Sequence, residues 1–231
     1  QTPKKFAAVP AIKRYTEETT PKNEVLIAPY DAKNIYMVQL HNQNQKWSAD
    51  RAPIIALFNE YFGGGMNAIV FQELREARGL AYSASAVYAS PYRLGGNESF
   101  YTYIITQNDK MMDCVTEFNK LLNNVPVRQS GFDLAKQSLM KSLASQRTTK
   151  YSILTSYLAA QRLGIDYSLS EKIYNALPSL QLQDVINFEK EYIANKPFKY
   201  IILGNEKELD LKSLEKIAPI KRVTTEEIFG Y

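Results

Sequence analysis

The spacing of apolar residues shifts along the chain between a strand-like and a helix-like period. Two short runs, 24–28 and 34–40, are rich in strand-forming residues and predict the first two strands. Apolar residues then recur at helical spacing over 50–62, which predicts the first helix. A second helix is predicted over 67–78 from the spacing of Val70, Phe71, Leu74 and Ala77, and Gly79 is well placed to end it. The first third of the chain is therefore expected to hold two strands followed by two helices.

The middle of the chain predicts two longer strands, and the C-terminal half is mostly predicted to be helical. The two strands cover 80–89 and 99–106, and the turn between them carries Gly95-Gly96-Asn97. Consecutive strands joined by a turn of this kind favour antiparallel pairing. A last strand is expected at 198–203, where an apolar run ends at Gly204. The remaining helices are predicted near 108–123, 130–149, 152–163, 170–176, 181–194 and 208–217.

This order of elements predicts an α+β fold, with a mostly antiparallel sheet and helices packed on one face. Residues 1–23 are expected to be a linker or inter-domain segment, because they carry three prolines and no periodic apolar face. No break in composition occurs after residue 23, so residues 24–231 are predicted to form a single domain. The chain starts at Gln1 without a recognisable signal peptide, which we interpret as a processed protein or a piece of a longer one.

Composition and charge narrow the classes of function. Of the 231 residues, 45% are hydrophobic and 23% are charged, which is the ordinary profile of a globular protein. The sequence contains no run of about 18 apolar residues, the length that would predict a membrane span. The net charge of +4 comes from scattered basic residues, whereas nucleic-acid binding usually shows a concentrated basic face. We therefore expect neither a nucleic-acid partner nor a membrane span.

A complete zinc site of the usual type cannot form within this chain. His41 is the only histidine and Cys114 the only cysteine, whereas a catalytic zinc needs three protein ligands. Cys114 falls on the apolar stripe of a predicted helix, where a buried and unreactive thiol is expected. His41 ends a predicted strand and is interpreted as a histidine at the solvent edge. A Ser–His–acid triad would also need His41, and no Gly-x-Ser-x-Gly motif is present.

The glycine triplet Gly63-Gly64-Gly65 has two possible interpretations. It precedes a predicted helix, as phosphate-binding loops do. However, it comes after a helix rather than a strand, and the Lys-Ser/Thr pair of a phosphate loop is missing. The sequence therefore favours a tight turn between two helices.

Residues 61–83 carry a more specific signal. They read Tyr-Phe-Gly-Gly-Gly-Met-Asn-Ala-Ile-Val-Phe-Gln-Glu-Leu-Arg-Glu-Ala-Arg-Gly-Leu-Ala-Tyr-Ser. This stretch resembles the pitrilysin family of zinc metallopeptidases, which includes insulin-degrading enzyme and the mitochondrial processing peptidases. Members share a glycine turn, a helix ending in Leu-Arg-Glu, and then Arg-Gly-Leu-Ala-Tyr-Ser. Residues 201–205, Ile-Ile-Leu-Gly-Asn, also resemble the end of a late strand in that family.

The resemblance implies a C-terminal, non-zinc-binding domain of such a peptidase. Family members are built from repeated α+β domains around a chamber, and the zinc-binding His-x-x-Glu-His lies in the first domain. This chain lacks that motif, so it is expected to bind no metal and to be inactive in isolation, with zinc held by the partner domain. The expected partners are N-terminal zinc-binding domains, in the same chain or a partner subunit, and a peptide substrate. A catalytically silent structural or interaction module of the same fold is the alternative, and the resemblance weakly favours a periplasmic or otherwise extracytoplasmic location.

Arg75 and Tyr82 match a pair of residues, seven positions apart, that contacts the bound peptide in the family. They are therefore the expected substrate-binding residues, and Arg75 is preferred to Arg78, which lies only four positions from Tyr82. Independently, Arg75 falls in the last turn of a predicted helix and Tyr82 early in the next strand. A guanidinium and a phenol there can bind a peptide carbonyl and stabilise an oxyanion. The alternative is that Arg75 pairs with Glu76 or Glu98, while Tyr82 packs in the sheet.

Overall fold

The computed structural model describes residue 8 and residues 17–230. Most of the predicted linker, residues 1–7 and 9–16, lies outside the described part of the chain. In the described remainder Thr20 is buried, and its backbone N–H donates to the carbonyl of Asn42 at 2.8 Å. The linker assignment as a whole stays a prediction.

The described residues form one six-stranded sheet with the strand order β3-β4-β2-β5-β1-β6. Strand β2 pairs antiparallel with β4 and β5, and β3 pairs antiparallel with β4. Strand β1 lies parallel to both β5 and β6. The strands are β1 (Glu24–Pro29), β2 (Asn34–His41), β3 (Ser83–Ala89), β4 (Ser99–Gln107), β5 (Lys199–Gly204) and β6 (Ile220–Arg222).

Helices make up most of the remaining regular structure. Two π-helical segments, Asn59–Gly63 and Phe71–Glu76, flank the glycine turn, and short 3₁₀ turns occur at Asn108–Lys110, Leu177–Ser179 and Glu206–Glu208. The α-helices are α1 (Ala52–Phe58), α2 (Met111–Asn123), α3 (Gln129–Ala144), α4 (Lys150–Leu163), α5 (Leu169–Ala176), α6 (Leu182–Tyr192), α7 (Leu211–Glu215) and α8 (Thr225–Phe229).

The core lies on one face of the sheet. Every strand from β1 to β5 alternates between residues buried under the helices and residues that are partly exposed, as the two-residue period of a strand requires. The rings of Phe58, Phe62 and Phe100 are fully buried beneath this face. The predicted α+β fold, with a mostly antiparallel sheet and helices on one face, is therefore confirmed.

The structure also corrects several element boundaries. The helix expected over 67–78 is a π-helical segment over 71–76, and the next strand begins at Ser83 rather than at residue 80. Helix α3 ends at Ala144, five residues before the expected end. The sequence analysis missed β6 and α8, because β6 has only one apolar residue in three and exists through its pairing with β1. No helix in the described residues is long and apolar enough to cross a membrane.

Candidate functional site

The helical segment that carries Arg75 ends in a glycine turn. Leu74 is fully buried, so it fixes the inner face of the segment against the core. Gly79 has a φ of +58° and donates its N–H to the carbonyl of Arg75 at 3.0 Å. A positive φ is accessible to glycine without steric cost, which is why the helix stops here.

The chain then returns directly into the sheet. The carbonyl of Leu74 accepts hydrogen bonds from the N–H groups of Leu80 and Ala81, at 2.9 and 3.3 Å. The N–H of Tyr82 donates to the carbonyl of Ile105, at 2.8 Å, beside the last residues of β4. Arg75 and Tyr82 therefore project from the two arms of one hydrogen-bonded turn.

Both predicted site residues are exposed to solvent. The side chain of Arg75 is 46% exposed, and its guanidinium carbon lies 4.8 Å from the centroid of the Phe71 ring. Tyr82 is 76% exposed, so it does not pack in the sheet as the alternative required. In the described part of the chain no hydrogen bond or ion pair joins the two side chains directly. A ligand that bridges them would therefore meet donors that the fold has not used.

The alternative ion-pair partners of Arg75 hold it weakly or are engaged elsewhere. Arg75 Nε lies 3.9 Å from Glu76 Oε1, at the outer limit of a salt bridge, and both side chains are about half exposed. Such exposed pairs contribute little stability. Glu98 instead pairs with Arg51, with Nε to Oε2 at 3.0 Å.

Arg78, by contrast, is committed to an ion-pair network. It donates to Glu73, and its Nε lies 3.4 Å from Glu117 Oε2. Glu73 is also bound by Arg128. The hydrogen bond from Arg78, together with that from Arg128, lowers the pKa of Glu73 below its usual value. Of the two arginines near the turn, Arg75 is thus the one with fewer and weaker ion-pair partners.

The glycine triplet serves close packing. A Cβ atom on Gly63 would lie 1.9 Å from the carbonyl oxygen of Ala86, so only glycine lets this backbone approach β3. Four residues earlier, Asn59 donates its amide to the carbonyl of Tyr88 at 3.0 Å and accepts from the Tyr88 N–H at 2.8 Å. The first π-helical segment therefore covers part of β3. Because the glycine triplet lies between the two π-helical segments, its interpretation as a turn between helices is confirmed.

The residues present do not fit a zinc ion. In residue 8 and residues 17–230 no three His, Cys, Asp or Glu side chains come together as a metal site. Cys114 is buried as expected, and burial raises the pKa of its thiol to about 12.

The interpretation of His41 as a solvent-edge residue is wrong. His41 is buried, and its Nδ1 lies 2.8 Å from the carbonyl oxygen of Pro197. The reason is topological, because β2 lies between β4 and β5 and is not an edge strand. Burial lowers the pKa of His41, which keeps the ring neutral. A buried, neutral ring is unsuited to acid–base chemistry on a substrate at the protein surface.

Two supporting residues escaped the sequence analysis. Phe71 places its ring against the guanidinium of Arg75. The two residues lie four positions apart on one helical segment, so their spacing could have predicted this contact. Asn59 fixes the π-helical segment to Tyr88, 29 positions away, and nothing in the local sequence indicates such a contact.

Comparison with known proteins places this domain in a family. Residues 3–139, more than half of the chain, match the family model of the peptidase M16 inactive domain. The fold is thus that of a peptidase-type domain. This chain belongs to the peptidase M16 inactive-domain family, in agreement with the pitrilysin-type resemblance of residues 61–83. No curated protein matches the chain.

Solved structures share the same fold at low sequence identity. A peptidase M16 inactive domain from Pseudomonas fluorescens aligns with a TM-score of 0.67 and 18% identity over 85% of this chain and 47% of its own. A protease from Helicobacter pylori aligns with a TM-score of 0.65 and 14% sequence identity. The alignment covers 86% of this chain and 48% of that protein. A conserved protein from Enterococcus faecalis V583 aligns with a TM-score of 0.65 and 16% sequence identity. The alignment covers 87% of this chain and 46% of that protein. This chain therefore spans about half the length of the structures that it matches.

Proposed function

We propose that this chain is the accessory domain of a zinc-dependent metalloendopeptidase, in which Arg75 and Tyr82 bind the peptide substrate and stabilise the transition state. The observation that carries the proposal is the turn itself, which presents a 46% exposed guanidinium side chain and a 76% exposed phenol from its two arms. Among the described residues neither group has a strong partner, whereas neighbouring Arg78 is paired with both Glu73 and Glu117. The family assignment supports the peptidase context.

The chemistry depends on the donors that each side chain offers. The ring of Phe71 supports the Arg75 guanidinium and leaves N–H donors at its edge for a carbonyl oxygen. The Tyr82 hydroxyl supplies a further donor. Hydrogen bonds from both groups strengthen as the carbonyl oxygen gains negative charge, so they lower the barrier as well as bind the substrate.

The zinc is expected in a companion domain, because the described residues of this chain offer no set of ligands for it. This domain alone is therefore proposed to cleave nothing and to bind no stoichiometric zinc. The companion is an N-terminal domain of the same polypeptide or a partner subunit, and it should carry His-x-x-Glu-His.

The test compares Arg75→Ala and Tyr82→Phe with wild type in the peptidase assembled with its companion domain. Each substitution is expected to lower kcat for a peptide substrate by roughly 10²-fold, the effect of losing one oxyanion donor. Zinc content should not change. Arg75→Lys keeps the charge but loses the pair of parallel N–H donors of the guanidinium. The kcat of this variant should therefore remain well below that of wild type.

Matched controls come from the opposite end of β3. Tyr92 and Arg93 are likewise an exposed tyrosine and an exposed arginine, so Tyr92→Phe and Arg93→Ala should leave kcat unchanged. Unchanged turnover in both Arg75→Ala and Tyr82→Phe would refute the catalytic role. That result would favour the alternative, a catalytically silent structural or interaction module.

A further inference from the structure

Helix α4 exposes a continuous apolar surface. None of its residues is buried, and five large side chains are 42–79% exposed. At 100° per residue these side chains span roughly 160° of the helix circumference. We call this surface the α4 stripe, and it consists of Tyr151, Ile153, Leu154, Tyr157 and Leu158.

The helix is held in place by its ends rather than by its apolar side chains. Thr149 and Ser152 form a capping box at the N-terminus, and Gly164 ends the helix with a φ of +72°. The carbonyl of Arg162 accepts a hydrogen bond from the N–H of Leu94, in the β3–β4 turn, at 2.6 Å. Capping stabilises the helix and the tether holds its C-terminal end, while its five large apolar side chains remain exposed.

The stripe lies in a segment with charge of one sign. Between Asp133 and Asp166 the chain contains no acidic residue but five basic ones. An antiparallel contact between two copies of the stripe would bring Lys150 at one end of the helix towards Arg162 of the other copy, which is unfavourable. The complementary surface is an apolar patch bordered by carboxylates. The five basic residues are Lys136, Lys141, Arg147, Lys150 and Arg162.

We infer that the α4 stripe docks the companion domain of the peptidase, through an apolar patch with an acidic border. The inference rests on the companion domain of the proposed function. Similar structures are about twice as long as this chain, so about as much polypeptide again accompanies this fold in them. Exposed apolar patches with a polar rim mark such interaction sites, and tyrosine is enriched in protein interfaces.

The composition of α4 favours a protein partner over a lipid surface. A helix that lies on a membrane carries a strongly charged face opposite its apolar face. The side of α4 opposite the stripe instead presents Ser152, Ser156 and Ala159. Its two charged residues, Lys150 and Arg162, occupy the ends of the helix, and the guanidinium of Arg162 lies over the Tyr92 ring at 4.5 Å.

The test measures hydroxyl-radical labelling of Tyr151 and Tyr157 in the complete peptidase, with Leu154→Glu as the variant. In wild type both tyrosines should be protected relative to the 231-residue chain alone. Leu154→Glu places a charge at the centre of the stripe, where central interface residues contribute most of the binding energy, so it should raise labelling of both tyrosines to the level of the chain alone. Ala159→Glu makes the same charge change on the opposite side of the helix, so it should keep the protection.

Other outcomes would overturn the inference. Equal labelling of both tyrosines in the complete peptidase and in the single chain means that the companion domain does not cover the stripe. Sedimentation of the single chain with phosphatidylglycerol–phosphatidylcholine vesicles, lost in Leu154→Glu, identifies a lipid surface instead. Dimerisation of the single chain in the ultracentrifuge, lost in the same variant, identifies a second copy. Because labelling does not depend on turnover, failure here is distinct from failure of the Arg75 and Tyr82 variants.

Discussion

Replacing Gly63 with alanine tests whether the glycine turn is set by close backbone packing. The added Cβ atom would lie 1.9 Å from the carbonyl oxygen of Ala86, and 2.6 and 2.9 Å from two further Ala86 backbone atoms. All three are backbone atoms of β3, which is paired with β4 along its length. They cannot rotate away as the end of a flexible side chain would.

The expected cost depends on the size of the overlap. Cβ atoms essentially never come within 3.0 Å of such neighbours, so the turn and β3 must separate by at least 1.1 Å, the difference from 1.9 Å. Overpacking a well-filled interior typically costs about 1–3 kcal/mol, and a rigid backbone neighbour favours the upper end. We therefore expect Gly63→Ala to lower the free energy of unfolding by about 3 kcal/mol, or to prevent folding.

Gly65 provides the matched control. A Cβ atom there has nothing within 4 Å, and the backbone φ is not positive. Gly65→Ala should leave the free energy of unfolding unchanged or raise it by about 0.5 kcal/mol, because alanine reduces the entropy of the unfolded chain. The assay is urea unfolding monitored by circular dichroism. Equal stability of Gly63→Ala and Gly65→Ala would refute the packing argument.

Two buried carboxylates give further predictions. Burial raises the pKa of Glu189 to about 7, from 4.5, so its ionisation destabilises the fold as the pH rises above 4.5 and the cost is complete above pH 7. Glu189→Gln should therefore raise the free energy of unfolding by about 3 kcal/mol at pH 8 and have little effect at pH 4, which urea titrations at both pH values would measure. Glu98 is buried against Arg51, so Glu98→Gln should lower the free energy of unfolding by about 3 kcal/mol. The exposed Glu18, paired with Lys199, is its control, and an equal loss in Glu18→Gln would contradict the burial argument.

Local pattern predicted most of the secondary structure, because periodicity reflects which side of an element is buried. Helix α2 and strands β2 and β4 lie within one to three residues of their predicted bounds. The misses occur where non-local contacts decide. Strand β6 depends on β1, some 190 residues earlier in the chain, and no three-residue window can indicate that pairing.

The candidate site shows the same division. The motif of residues 61–83 singled out Arg75 and Tyr82, and the structure brings them to one turn. The motif did not indicate that Glu73, Glu117 and Arg128 form an ion-pair network around Arg78. Nor did it indicate that this network leaves Arg75 out. Glu117 and Arg128 lie 39 or more positions further along the chain, so their roles depend on how α2 and α3 pack.

By itself, the sequence determined the class of fold, the peptidase-type motif, and the impossibility of a usual zinc site with one histidine and one cysteine. These are properties of composition and local spacing, which do not depend on how elements pack. Only the tertiary structure decided that β2 is a central strand, that His41 is therefore buried, and that Gly63 contacts β3. It also decided that the apolar side of α4 is left exposed. Burial is set by contacts between distant segments, and those contacts are a property of the folded chain.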